Sequence, residues 1–178
     1  MDRCFLGGGF FQEISHSGIN PYLTMHVAEN FLRAGDPRYF DLLESVAEMA
    51  SPTGQWPEAI HPRTMGGCMG DGQHVWAAAE WLVAMRNLFV REEADRLILG
   101  SGIPPAWQVS GIEGSFGPAP TRFGPISVSF KTEGNYVEVH WKAQWRGAQP
   151  LIEVCLPGQP RMDCSTADGS LFIPRRAA

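Results

Sequence analysis

Residues 54 to 74 read GQWPEAIHPRTMGGCMGDGQH, and they gather Trp56, Glu58, His61, Arg63, Asp71, His74 and five glycines into one short stretch. Carboxylate and imidazole groups are the usual carriers of protons in catalysis. From the residues alone, Glu58 either does such work or is a loop carboxylate that caps the backbone or pairs with Arg63. Trp56 reads equally as a packing plug, a lid or a platform for a ligand ring. Asp71 stands where a helix N-cap is expected, before Gly72-Gln73. A second polar loop, GFFQEISHSG, places Glu13 and His16 just ahead of Asn20.

These loops are held by elements whose periods can be read. Asn20-Pro21 is an N-cap and first-turn pair that opens a helix running to Gly35. Asp36-Pro37 starts another, with Phe40, Leu43, Val46, Ala47 and Ala50 on one side and Asp41, Glu44 and Glu48 on the other. The short break between them predicts a helical hairpin. A third helix, over residues 73 to 92, is apolar nearly all round, with Trp76 and Trp81 read as core and Glu80 as paired with Arg86 or with a polar group of another helix. Two amphipathic helices are too few to enclose it. Such a helix implies tight oligomerisation or further structure outside the sequence.

From about residue 95 the period changes to two. Ile126, Val128 and Phe130 alternate with Ser127, Ser129 and Lys131. After TEGN, Val137, Val139, Trp141, Ala143 and Trp145 alternate with polar partners. This predicts an antiparallel hairpin with one wet face, followed by strands at 151 to 156 and 171 to 173. The fold class is α+β, with about three helices in residues 1–94 and a small antiparallel β domain in residues 95–178. No internal repeat or low-complexity segment is present.

Composition narrows the functions. With 14 basic against 19 acidic residues, a net charge of −5 and no basic cluster, nucleic acid is not an expected partner. No stretch approaches the roughly 20 apolar residues of a membrane span, and the opening Met1-Asp2-Arg3 does not resemble a signal peptide, so the sequence reads as cytoplasmic. The four cysteines lack zinc-site spacing, and neither a metal nor a cofactor is expected.

The segments HSGINPYLTMHVAENFLRAGDPRYFDLLESVAEMAS, TGQWPEAIHPRTMGGCMGDGQHVWAAAEWLVAMRNLFVREE and LILGSGIPPAWQ resemble the C-terminal end of six-hairpin, (α/α)6-barrel glycoside hydrolases of the glucoamylase, trehalase and glucosidase group. TRFGPISVSFKTEGNYVEVHW is similar to the β domain that often follows such barrels. The resemblance implies a partial (α/α)6 toroid acting on carbohydrate. It makes Glu58 the general base of an inverting hydrolysis, with Trp56, His61, Arg63, Glu13 and His16 as substrate-binding residues on one concave mouth.

It also implies a C-terminal fragment. The general acid would lie elsewhere, so turnover would need the missing barrel half or another subunit. The alternatives are a non-catalytic carbohydrate-binding module, with Trp141 and Trp145 considered as its platform, or a protein-interaction module that buries its helix faces against another chain.

Overall fold

The computed structural model describes residues 4–13, 17–70 and 72–175. The chain forms two compact units, residues 1–84 and 85–178, with the division inside the third helix. Its α+β class agrees with the sequence reading: three helices and three sheets are present among the described residues.

In the first unit, β1 (Phe5–Leu6) turns into β2 (Gly9–Gln12) through Gly7 and Gly8, whose φ angles of 57° and 80° suit a primed hairpin turn. After β3 (Gly18–Ile19), Asn20 caps α1 (Pro21–Ala34): its Oδ1 accepts a hydrogen bond from the Leu23 backbone N at 3.0 Å. Gly35, with φ at 67°, ends α1 in the left-handed conformation expected of a helix C-terminus. The chain then enters α2 (Arg38–Glu48), which packs on α1. The buried stripe of α2 is Tyr39, Leu42, Leu43 and Val46, while Ala47 is exposed, so the helix is turned slightly from the expected face.

β4 (Ala59–Ile60) and β5 (Gly67–Met69) complete a five-stranded antiparallel sheet in the order β1-β2-β3-β4-β5. This sheet overturns the glycoside hydrolase resemblance at the level of the fold. In a six-hairpin barrel the stretches flanking these helices would belong to further helical hairpins and their loops. Here Phe5–Leu6, Gly9–Gln12, Gly18–Ile19, Ala59–Ile60 and Gly67–Met69 are strands of one sheet.

Tyr39 is 1% exposed, and its hydroxyl has no hydrogen-bond partner among the described residues. Burial, reinforced by the nearby Glu29 carboxylate, pushes its phenol well above the usual value. The folded chain therefore holds that proton to higher pH than the unfolded chain. The resulting stability is whole below about pH 10 and is lost as pH rises beyond it. Tyr39→Phe should raise stability at pH 8 by about 1 kcal/mol, because an unpaired buried hydroxyl is removed, and should flatten the decline above pH 10. Urea unfolding at the two pH values checks both.

α3 (Val75–Phe89) follows β5 and runs directly into the second unit, where β6 (Val90–Glu93) and β7 (Arg96–Leu99) form a hairpin. The expected helix over 73 to 92 is thus shorter, because residues 90–93 pair as a strand. β8 (Glu113–Ala119), β9 (Ile126–Glu133) and β10 (Tyr136–Ala143) come next, then β11 (Leu151–Val154), β12 (Met162–Cys164) and β13 (Gly169–Pro174).

One sheet has the order β12-β11-β7-β6, with β11 parallel to β7. The buried Glu153 of β11 is held there between Arg96 at 3.2 Å and Arg161 at 3.1 Å. The other sheet, β13-β10-β9-β8, is antiparallel throughout. Its alternation is the one read from sequence: Ile126, Val128, Phe130, Val137, Val139 and Trp141 are buried. No described helix is long and apolar enough to cross a membrane.

Candidate functional site

The stretch that opened the sequence reading is mostly a small hairpin. The backbone N of Glu58 donates to Met69 O at 3.1 Å and that of His61 to Gly66 O at 2.8 Å, tying β4 to β5. Gly70, at φ 79°, packs close on the Glu58 backbone: a Cβ there would sit 3.3 Å from its nitrogen.

Trp56 is 4% exposed. Its Nε1 donates to Val46 O at 2.8 Å and its ring lies 5.3 Å from that of Trp81, so it is a plug in the core of the first unit and presents no open face. The half-buried Glu58 carboxylate has no polar partner among the described residues, so the pair with Arg63 that was one alternative for it is not formed. The His61 Nδ1 accepts from the backbone N of Arg63 and of Thr64, both at 3.3 Å, and thereby shapes the turn. Arg63 and Glu13 are exposed, and His16 and Asp71 lie outside the described residues.

A tighter constellation joins α1 to α3. Glu80 Oε1 accepts from Trp76 Nε1 at 3.2 Å and lies 3.0 Å from His26 Nε2. The partner of Glu80 is thus another helix's polar group, and Arg86 pairs with Glu92 instead. The Trp76 ring stacks on Tyr22 at 4.4 Å and an interplanar angle of 22°. Trp76 is nevertheless 50% exposed, which corrects its assignment to the core.

The second unit carries the richest surface. Cross-strand registry on the outer face of β13-β10-β9-β8 sets Glu113, Lys131, Glu138 and Phe172 in one row, and Ser115, Ser129, His140 and Ser170 in the next. Tyr136 lies one step further along β10, opposite Pro174 and Glu133. Adjacent strands lie roughly 4.8 Å apart, so both rows fall within reach of one small molecule.

A depression of about 560 Å³ opens there, lined by both rows' side chains on β8, β9 and β10 and floored by Gly114. His140 Nδ1 and Ser170 Oγ are 3.2 Å apart, and Lys131 Nζ is 3.5 Å from Glu133. Neither Glu113 nor Glu138 has a polar side-chain partner among the described residues. Phe172 is 61% exposed and Tyr136 52%.

No family, curated protein or solved structure matches this chain. The glycoside hydrolase resemblance therefore has no support from relatives either, and the sheets of the fold stand against it. Among the described residues no group of three His, Cys, Asp or Glu side chains is placed to hold a metal.

Trp141 is 1% exposed, its ring inside the second unit, so it is not a platform on this sheet. The aromatic residues that do face outward were passed over in the sequence. A signal for them was present: in a period of two, Tyr136 falls in phase with Glu138, His140 and Lys142, and Phe172 out of phase with the buried Ile173.

Proposed function

We propose that this chain is a non-catalytic binding module that holds a neutral, polyhydroxylated ligand, a glycan, on the outer face of the β13-β10-β9-β8 sheet. The observation that carries the proposal is the exposure of Tyr136 and Phe172 on a face otherwise made of hydroxyls, an imidazole and charges of both signs. A wet sheet face is ordinarily polar, so two large rings there call for a reason.

The chemistry suits sugars. A pyranose offers an apolar C–H face for stacking and a rim of hydroxyls that both donate and accept. The aromatic rings suit the first. The free carboxylates of Glu113 and Glu138, with Lys131, Ser129 and His140, suit the second. Glu113, Glu133 and Glu138 set against Lys131 and Lys142 leave little net charge, so a neutral ligand is favoured over a strongly anionic or cationic one.

The test is a glycan array probed with the labelled chain, followed by titration of the best ligand against wild type and Glu138→Ala. Retained binding that weakens roughly 10-fold or more, the cost of losing a hydrogen bond to a charged group, supports the reading. No binding to any neutral glycan, or binding indifferent to Glu138, contradicts it.

A further inference from the structure

A depression of about 300 Å³ lies in the first unit, walled by α1, α2 and α3, at the lower end of the size of ordinary small-molecule sites. Its apolar part is made by the buried Met25, Leu43 and Ala84 and by the exposed Val83. Tyr39 also lines it. That residue is 1% exposed, and its hydroxyl has no hydrogen-bond partner among the described residues. A buried hydroxyl left unpaired costs stability. Glu29 lines the same depression, and its charge acts on the Tyr39 phenol, helping burial to keep the proton on. The phenol is therefore neutral at pH 7, with an oxygen able to accept a hydrogen bond.

The charge of the lining has one sign. Glu29 and Glu80 supply two carboxylates, and no Lys or Arg is among the lining residues. Both carboxylates are fixed in place. Glu80 is held by the Trp76 indole N–H and lies against His26, while Glu29 pairs from outside the lining with Arg33 at 3.1 Å. The Arg33 side chain is 45% exposed, so water weakens its hold on Glu29.

We propose that this depression binds a small primary ammonium ion with an apolar tail, the ammonium group shared by the Glu29 carboxylate and the Tyr39 hydroxyl and the tail lying on Met25, Leu43 and Val83. An ammonium group has three donors and no acceptor, which suits a carboxylate and a phenol oxygen together. An anion would meet two like charges. The ligand supplies the hydrogen bond that Tyr39 lacks in the empty chain. A group that lowers stability until its ligand arrives is a usual feature of binding sites.

The inference is independent of the glycan reading, which concerns the other unit. It is tested with n-hexylammonium chloride at pH 7, where a primary amine is protonated. In a methyl NMR titration the signals of Met25, Leu43 and Val83 should shift saturably, with a Kd of about 1 mM for so small a ligand. Tyr39→Phe and Glu29→Gln should each weaken binding roughly 10-fold, the loss of one hydrogen bond that involves a charged group. Tyr39→Phe is the variant expected to stabilise the empty chain, so a damaged fold does not account for its weaker binding. 1-Hexanol, with the same tail and no charge, should bind at least roughly 10-fold more weakly than the ammonium ion.

No saturable shift by about 10 mM, tenfold above the expected Kd, overturns the inference. Binding indifferent to either substitution overturns it as well, as do shifts centred away from Met25, Leu43 and Val83. Hexanol binding as tightly as hexylammonium would mark the depression as an apolar dent with no preference for a cation, and would also overturn it.

Discussion

Trp56→Ala should lower the unfolding free energy by about 3–5 kcal/mol, the usual cost of removing a large buried aromatic side chain. The ring is 4% exposed and packs against Trp81. Its indole N–H is the donor that satisfies the Val46 carbonyl beyond that residue's place in α2. Trp56→Phe would keep most of the packing and lose the hydrogen bond, for a smaller cost of about 1 kcal/mol. Urea unfolding of the three proteins measures the series. A tryptophan serving as a ligand platform would behave in the opposite way, costing binding and little stability. A loss below about 1 kcal/mol for the alanine variant, the level of an ordinary surface change, would therefore return Trp56 to the surface.

Replacing Tyr136 and Phe172 together by alanine should cost about 100-fold in glycan affinity while leaving stability nearly unchanged. Each ring is more than half exposed, so each is free to cover the apolar face of a sugar. An aromatic contact of this kind is commonly worth more than 1 kcal/mol, or about tenfold in affinity for each ring. The two positions are diagonal neighbours on adjacent strands, Tyr136 opposite Pro174 and Phe172 opposite Glu138, so the single and double variants together measure the coupling between the rings. Isothermal titration of the single and double variants against one glycan reads the effect directly. Equal affinity in all variants would mean that the two rings are only solvent-exposed strand residues.

The parts of the fold that the sequence announced are those with a local rule behind them. Asn20-Pro21 and Gly35 delimit α1 because a cap and a left-handed stop are local chemistry. The β9–β10 hairpin follows from strict alternation over two eight-residue strands, from Ile126 to Glu133 and Tyr136 to Ala143. β4 and β5 follow no such rule. They have two and three residues, with an irregularity at Ala59 and Ile60, too short for any period to show. Their glycines and prolines then read as a loop.

The same limit explains the fate of the first candidate residues. Trp56 and Glu58 are adjacent but one, and sequence proximity suggested a shared surface. The local backbone sends the Trp56 ring inward, with its N–H on the Val46 carbonyl, and leaves Glu58 only half buried. α3 is apolar nearly all round in sequence, and the structure covers only one side of it. What sequence could not give is which side is left open: it is the side of Val75, Ala79 and Leu82. Tyr136 and Phe172 lie in the phase opposite to the buried Trp141 and Ile173, and alternation alone does not separate a ring that binds a ligand from one that is only exposed.

The central claim is that the outer face of β13-β10-β9-β8 binds a neutral glycan, and the most direct test is a two-dimensional amide NMR titration of the wild-type chain with the glycan selected on the array. The account predicts saturable shifts concentrated at Ser129, Lys131, Tyr136, Glu138, His140 and Phe172, on three neighbouring strands. An absence of shifts at saturating glycan, or shifts centred on residues 54–70 of the first unit instead, would contradict it.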